Sequence, residues 1–321
     1  MKKAYEIFKK LIPYVIVGAV ITTIFGIVAY GLNYNKATST FIVPEVCSLL
    51  FIGFLAVTVG YVIFFSIKSR HLHITKIRKN SNFLKLTSWL TAAVLVLLFI
   101  FETAKLIAEP YIEDATGFNA WRVIRYILTL PFAAYFIIEA FPKKIKKTKI
   151  NFPNWLRYTL SICAILWCVS GLLSIYFSDF MTTTNVIKNF QIILYLVFSV
   201  FFVFEGKFEH LKPNNVGYLI TSLLSFVLSM GLGLSTIISL AAGFISTYKC
   251  CSEIELTTYA VIGIYALSRV FAILSTMKHV IDHDETGSYS RKFNKGLDDF
   301  ADEPTTINEA TEKNVSSEEQ K

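Results

Sequence analysis

The sequence predicts an all-α fold, a polytopic integral membrane bundle of about eight transmembrane helices with both termini in the cytoplasm. Hydrophobic residues make up 54% of the 321 residues. Charged residues make up only 17%, against about 25% in an average soluble domain. The apolar residues are collected in runs of about 20, the length that crosses a hydrocarbon layer as a helix. Alternating segments of about ten residues, which are typical of membrane β-barrels, are absent.

Eight apolar runs are long enough to span a membrane. They lie at about 11–32, 43–67, 86–108, 121–141, 155–177, 186–205, 216–246 and 256–277. The first run follows the basic segment MKKAYEIFKK and imitates a signal peptide, although it is longer than the usual apolar region of roughly 7–15 residues. We therefore predict a retained first helix, while the sequence AYG at 29–31 leaves cleavage as the alternative.

The distribution of Lys and Arg predicts the orientation of the bundle. With the N-terminus in the cytoplasm, 18 basic residues fall in or beside the inner loops and five in or beside the outer loops. Basic residues concentrate on the cytoplasmic side of membrane proteins. An even number of spans then also leaves the C-terminus inside, so the span count and the charge distribution agree.

Two segments of the chain differ in charge. Residues 1–277, the predicted transmembrane domain, carry a net charge of +13, whereas residues 278–321 carry −5. The second segment is polar with few aromatic residues, which predicts a disordered cytoplasmic tail that can contact a protein partner. Because the basic excess belongs to the membrane part, it indicates topology rather than nucleic-acid binding.

The composition also suggests where the protein resides. Richness in Lys, Ile, Asn and Phe suggests a low-GC genome, and therefore the cytoplasmic membrane of a bacterium. The lipid bilayer is then the predicted surrounding of residues 1–277. Nothing in the sequence indicates an oligomeric state.

Two similar stretches suggest an internal repeat. YFIIEAFPKK at 135–144 is echoed by FFVFEGKFEH at 201–210. At an offset of 66, Trp89 corresponds to Trp155 and Glu139 to Glu205, and both residue types are scarce in these spans. We therefore predict a bundle of four repeated two-helix hairpins, related in parallel because each hairpin has the same orientation.

Four charged residues fall in the outer halves of the third and fourth spans. Glu102 and Lys105 lie near the end of the third span, and Arg122 and Arg125 lie one turn apart at the start of the fourth. Ionisable groups in a span usually face the interior or a wet cavity, so these residues form a candidate polar pocket for an anion. The alternative is an ion pair between the two helices together with snorkelling to the membrane surface.

Arg269 lies inside the eighth span and requires a partner or water. About 13 residues of the span precede it, which places it some 20 Å from the outer surface. Glu139 and Glu205, at the inner ends of the fourth and sixth spans, are the candidate partners in an intramembrane ion pair. The alternative is that Arg269 snorkels to the cytoplasmic surface.

The seventh apolar run is too long for a simple span. Its 31 residues would extend about 46 Å as a helix, against a hydrocarbon core of about 30 Å. Gly231 and Gly233 in its middle lower helix propensity and form a candidate helix break that would line a binding site. The alternatives are a tilted helix, or a span followed by a short interfacial helix over 235–247.

No enzyme motif accompanies these features. GxSxG, HExxH, a P-loop and a kinase signature are absent, and the five cysteines include no CxxC. We therefore expect no catalytic residue, no metal and no cofactor. The sequence favours a protein that transports or binds a small solute or a lipid-like molecule. The alternative is a non-enzymatic membrane sensor or assembly subunit.

The predicted orientation can be measured with reporter fusions. Alkaline phosphatase, which is active only outside the cytoplasm, should be active when fused after residue 112 and inactive after residues 145 and 321. Green fluorescent protein fused at the same positions should give the opposite pattern. An active phosphatase at residue 321 would contradict either the span count or the orientation.

Overall fold

The computed structural model describes residues 2–36, 38, 40–42, 46–68, 82–108, 120–141, 144–145, 148–149, 152–177, 185–210, 215–245 and 253–285. The helices are α1 (Lys2–Asn33), α2 (Val46–Lys68), α3 (Asn82–Ala108), α4 (Ala120–Ala140), α5 (Asn154–Tyr176), α6 (Val186–His210), α7 (Asn215–Leu228), a π-helical segment (Ser229–Leu234), α8 (Ser235–Ala241) and α9 (Glu253–Glu285). Two antiparallel strand pairs are β1 (Tyr34–Asn35) with β2 (Thr40–Phe41), and β3 (Lys144–Ile145) with β4 (Thr148–Lys149). The chain divides into two units, Met1–Met277 and Lys278–Lys321.

The predicted eight spans are confirmed as helices. In the described part of the chain, eight helices are long and apolar enough to cross a membrane. They are Tyr5–Asn33, Val46–Lys68, Asn82–Ala104, Ala120–Ala140, Trp155–Tyr176, Val186–Lys207, Val216–Ala241 and Glu253–His279. The orientation in the membrane and the hairpin repeat stay predictions.

Helices that follow one another in the chain pack as antiparallel neighbours. This holds for α1 with α2 and for α3 with α4, α4 with α5, α5 with α6 and α6 with α7. On the pair α3–α4, the ring of Phe99 stacks on Tyr126 at 4.8 Å while Trp89 contacts Phe141, so the two helices run in opposite directions. Short connections favour this arrangement, because an apolar helix finds its nearest partner along the chain.

The last span, in α9, lies in the middle of the bundle. Of its most apolar stretch, 72% is buried within the protein, against 22% for α2 at the periphery. Its Ser268 accepts a hydrogen bond of 2.8 Å from Thr87 on α3. The ring of its Tyr259 lies 5.2 Å from that of Tyr195 on α6. The helix therefore contacts neighbours that are remote from it in the sequence.

A glycine of α9 lets this helix approach the π-helical segment closely. A Cβ atom at Gly263 of α9 would lie 2.3 Å from Cβ of Ser229, so only glycine allows this contact. The wide turn also offers its carbonyl groups to side chains, and Thr23 on α1 donates a hydrogen bond of 3.0 Å to the carbonyl of Met230. π-Helical turns inside α-helices are frequent at functional sites.

The seventh span differs from its predicted form in two ways. The chain stays helical through Gly231 and Gly233, so the irregularity is a change of helical hydrogen bonding and not an interruption. The helix also ends at Ala241 and not at 246, because Gly243 adopts a positive φ of 74°. The amide of Phe244 donates to the carbonyl of Ser239 over 2.9 Å, which completes a glycine-terminated Schellman motif.

A small apolar cluster lies where α1 and α8 end and α6 begins. It contains the buried residues Tyr30, Tyr34, Ile187 and Ile245. The strand pair β1–β2 contributes Phe41, whose ring lies 6.4 Å from that of Phe190 on α6. The first turns of α6 are thus covered by other parts of the protein.

The close contact between α9 and the π-helical segment predicts the effect of a single methyl group. Gly263→Ala should lower the free energy of unfolding by about 1–3 kcal/mol, because Ser229 must move to admit the new atom. Thermal unfolding in detergent measures the change. Gly60→Ala is the matched control, since nothing lies within 4 Å of a Cβ at Gly60, and it should not destabilise the protein. Equal effects of the two substitutions would contradict the proposed packing.

Candidate functional site: two buried arginine–glutamate–tyrosine clusters

The first cluster is centred on Arg269, an arginine of α9 that is fully buried. Its Nη2 lies 2.5 Å from Oε1 of Glu205 on α6, and its Nη1 lies 3.6 Å from Oε2 of Glu139 on α4. Its Nε donates a hydrogen bond of 2.8 Å to the hydroxyl of Tyr218 on α7. The guanidinium group of Arg269 therefore connects α9 to α4, α6 and α7.

The carboxylate of Glu205 accepts hydrogen bonds from three tyrosine hydroxyls as well. Tyr135 on α4 and Tyr265 on α9 donate to Oε1 over 3.2 and 3.1 Å, and Tyr218 donates to Oε2. A buried charge is costly unless it is both paired and hydrogen-bonded, and these donors meet that requirement. The Arg269 cluster consists of Arg269, Glu205, Glu139, Tyr135, Tyr218 and Tyr265.

The second cluster is centred on Arg125, in the second turn of α4. Its Nη1 is paired with Oε1 of Glu255 on α9 and donates a hydrogen bond of 2.8 Å to the hydroxyl of Tyr195 on α6. The hydroxyls of Tyr195 and Tyr259 donate to the same Glu255 oxygen over 2.8 and 2.7 Å. All four residues are buried, and together they form the Arg125 cluster.

A second layer of contacts holds the Arg125 cluster in place. Trp167 on α5 donates through Nε1 to Thr129 over 3.0 Å, and the hydroxyl of Thr129 donates to the backbone carbonyl of Arg125. A Cβ at Gly171 on α5 would lie 2.4 Å from the ring of Tyr195, so glycine leaves room for that ring. Helix α5 therefore packs against the Arg125 cluster beside both Arg125 and Tyr195.

An aromatic layer separates the two clusters, although both are built on α4, α6 and α9. On α9, Tyr259 of one cluster and Tyr265 of the other are six residues apart, which is about 9 Å along the helix. The ring of Phe132 on α4 lies 4.9 Å from Trp167 and 5.2 Å from Phe202. The layer consists of Phe132, Phe136, Trp167 and Phe202, all of which are buried.

Three of the four residues of the predicted outer polar pocket have described side chains, and Arg122 and Arg125 each pair with a different carboxylate. Arg122 is 52% exposed, and its Nη2 lies 3.3 Å from Oε2 of Glu102 at the edge of the bundle. Arg125, one turn further along α4, points inward to Glu255 instead. Lys105 lies in α3, but its side chain is outside the described residues. The ion pair between Glu102 and Arg122 agrees with the alternative that the sequence left open.

The structure brings the other predicted residues to defined places. Glu139 and Glu205, the predicted partners of Arg269, both lie beside its guanidinium. A Cβ at Gly233 would lie 3.6 Å from that of Tyr259, so this part of the π-helical segment packs against the Arg125 cluster. Gly231 faces Thr22 of α1 instead, where a Cβ would lie 2.9 Å from the threonine methyl group.

Sequence reasoning missed the tyrosines and Glu255. Glu255 directly precedes the apolar run of the eighth span, so its position in the sequence does not indicate that it is buried. Its signal is a tyrosine four residues away on the same helix face, Tyr259, with which it forms a hydrogen bond. Tyr265 stands in the same relation to Arg269. A tyrosine one turn from an ionisable residue within a span is therefore a useful mark of a buried polar cluster.

The geometry defines a class of protein. Eight apolar helices make the chain a multi-pass helical membrane protein, and its interior holds two arginine–glutamate clusters. Comparisons with protein-family models, curated proteins and solved structures found no match for the chain. Among the described residues, no group of three His, Cys, Asp or Glu side chains is arranged to hold a metal ion.

The contacts of the Arg269 cluster predict unequal roles for its two glutamates. Glu205→Gln should lower the free energy of unfolding by about 3–5 kcal/mol, because it leaves a buried arginine without its nearest carboxylate. Glu139→Gln should cost less, since its oxygen lies further from the guanidinium. Thermal or denaturant unfolding in detergent compares the two variants.

The pair between Glu102 and Arg122, whose arginine is half-exposed, supplies the control for this comparison. Arg122→Gln should change the free energy of unfolding by at most about 1 kcal/mol, as expected for an exposed ion pair. A Glu205→Gln variant as stable as the Arg122→Gln variant would show that the buried pair is not a main support of the bundle.

Proposed function

We propose that the protein is a non-enzymatic transporter, located in the cytoplasmic membrane of a bacterium, that carries a small solute or a lipid-like molecule. The observation that supports this proposal is the pair of buried clusters, one centred on Arg125 and one on Arg269, on the same three helices. Transporters of the alternating-access type need two closures, one toward each side of the membrane, around a central site. We infer that the two clusters serve as these closures.

Energetics favour a switching role for these charged groups. A buried ion pair is on average no more stabilising than well-packed apolar side chains of the same size. Ionisable residues within membrane spans are rare and are functional by default. Arg269 contacts carboxylates on both α4 and α6, so a movement of α9 can lengthen one contact while the other persists.

The aromatic layer indicates the kind of solute that would pass. If α9 separated from α4 and α6, the surfaces exposed between the clusters would include Phe132 and Phe202. Such walls favour a molecule with an apolar body, while the arginines and tyrosines at either end suit a polar head group. A solute with both parts fits this lining better than a strongly hydrated one.

A second candidate is a non-enzymatic sensor or assembly subunit, whose acidic segment 278–321 would contact a protein partner. The observation in its favour is that each cluster is closed by several side-chain contacts within a densely packed interior. Buried polar groups of this kind can fix which helices meet without any movement. The two candidates differ in whether α9 moves.

A reversible disulfide tests whether movement of α9 is required. The hydroxyl oxygens of Thr87 on α3 and Ser268 on α9 are 2.8 Å apart, so cysteines at both positions should form a bond beside Arg269. In proteoliposomes of a variant whose native cysteines are replaced, uptake should stop on oxidation and return on reduction. A panel of radiolabelled organic acids, amino acids, nucleosides and fluorescent lipids serves as probe.

Arginine variants provide the second arm of the test. Arg125→Ala and Arg269→Ala should abolish the uptake that the wild type shows, whereas Arg122→Ala at the edge of the bundle should retain it. Uptake that is indifferent to the disulfide and to both buried arginines would refute the proposed role of α9 and the two clusters in transport. No uptake of any probe, together with a partner that co-purifies through residues 278–321, would favour the second candidate.

A further inference from the structure

A polar stripe on the buried face of α6 leads to the Arg125 cluster. Lys188, Gln191 and Tyr195 are spaced by three and four residues, so they lie on one face of the helix. Only 6% of Lys188 and 1% of Gln191 are exposed, and Tyr195 is fully buried. Neither Lys188 nor Gln191 belongs to the clusters described above.

The position of Lys188 is unusual for a lysine near the end of a membrane span. Such a lysine normally extends its amino group to the surrounding water. Lys188 is the third residue of α6, yet its side chain is kept within the protein. The side chain of Asn185 caps the helix there by accepting hydrogen bonds from the amides of Ile187 and Lys188. The first turn of α6 is thereby fixed with the lysine directed inward.

The stripe and the Arg125 cluster together offer cationic and hydrogen-bonding groups. Lys188 lies seven residues from Tyr195 on the same face of α6, which is about 10 Å along the helix. Tyr195 accepts a hydrogen bond from Arg125, which is also paired with Glu255. An ammonium group, an amide, a phenol and a guanidinium group thus follow one another from the start of α6 inward. This is the chemistry that binds carboxylate or phosphate groups.

We propose that these residues form the binding site of a small organic anion, whose carboxylate or phosphate group displaces Glu255 from Arg125. When no ligand is bound, the carboxylate of Glu255 occupies the position that the ligand's anionic group would take. The ligand first meets Lys188 and Gln191, then exchanges with Glu255 and so releases α9 from α4. This inference rests on the proposed transporter and names its substrate class and the event that opens one closure.

Thermal unfolding in an uncharged detergent tests the site with sodium acetate and sodium phosphate as probes, against sodium chloride at equal ionic strength. Either probe should raise the Tm of the wild type saturably, because a ligand that binds only the folded protein stabilises it. Glu255→Gln should bind the probes about tenfold more tightly, since no internal carboxylate then competes for Arg125. Lys188→Met should lose the saturable rise.

A matched lysine on the same helix controls for the loss of a positive charge. Lys207 lies near the other end of α6 and is exposed, so Lys207→Met should keep the saturable rise of the wild type. Absence of any saturable rise in both the wild type and Glu255→Gln would overturn the proposal. An equal rise in Lys188→Met and in the wild type would also overturn it.

Nanodiscs distinguish a soluble anion from a lipid head group. Thermal unfolding is measured again without added anion, in nanodiscs of phosphatidylcholine and in nanodiscs of phosphatidylglycerol. A Lys188-dependent rise with acetate or phosphate, together with equal Tm values in the two lipids, supports a soluble anion. A Tm that is also higher in phosphatidylglycerol, and that depends on Lys188, supports an anionic head group. If the probes fail to bind while the disulfide between cysteines at positions 87 and 268 still blocks uptake, the anion site is wrong and the transporter stands. If the probes bind and uptake is unaffected by the disulfide, the anion site stands and the proposed movement of α9 during transport is wrong.

Discussion

The burial of Arg269 against Glu205 is the constraint on which the arrangement of the bundle depends. A charge in the interior of a membrane protein must meet its counter-charge and further hydrogen-bonding groups, or the fold does not form. These groups come from α4, α6, α7 and α9, so the four helices have to converge at one depth. Many pairs of apolar side chains could form an equivalent apolar contact, whereas few other residues could satisfy the buried guanidinium of Arg269.

The position of α9 follows from the same constraint. In a lipid environment the most apolar helices gain nothing from the interior, and α1 and α2 are the most apolar spans of this chain. Large apolar side chains of α2, such as Val57 and Phe64, are exposed on the surface of the bundle. The less apolar α9, which carries Glu255 and Arg269, occupies the centre. The partners that Glu255 and Arg269 require, and not the hydropathy of the span, therefore account for the central position of α9.

The spans could be predicted from the sequence, but most of the site could not. Run length locates each helix, and a deep arginine announces that it needs a partner, which is why Arg269 could be connected to Glu139 and Glu205. The partner of Arg125 was sought on α3, its neighbour in the chain, although that partner lies on α9. Periodicity shows which face of a helix is polar, but it does not show which distant helix will lie against that face. The π-helical turn escaped prediction because Gly231 and Gly233 indicate only that a regular helix is weak there.

Contacts at three places along α9, at Glu255, Gly263 and Arg269, determine how this helix could move in the proposed transporter. Gly263, which touches Ser229 of the π-helical segment, lies eight residues after Glu255 and six before Arg269, or about 12 and 9 Å along the helix. The close contact thus stands between the two clusters. A helix held near its middle can tilt so that one end separates from its neighbours while the other end stays in contact. Because a single rigid helix carries Glu255 and Arg269, opening of one cluster then favours closure of the other, which is the coupling that alternating access requires.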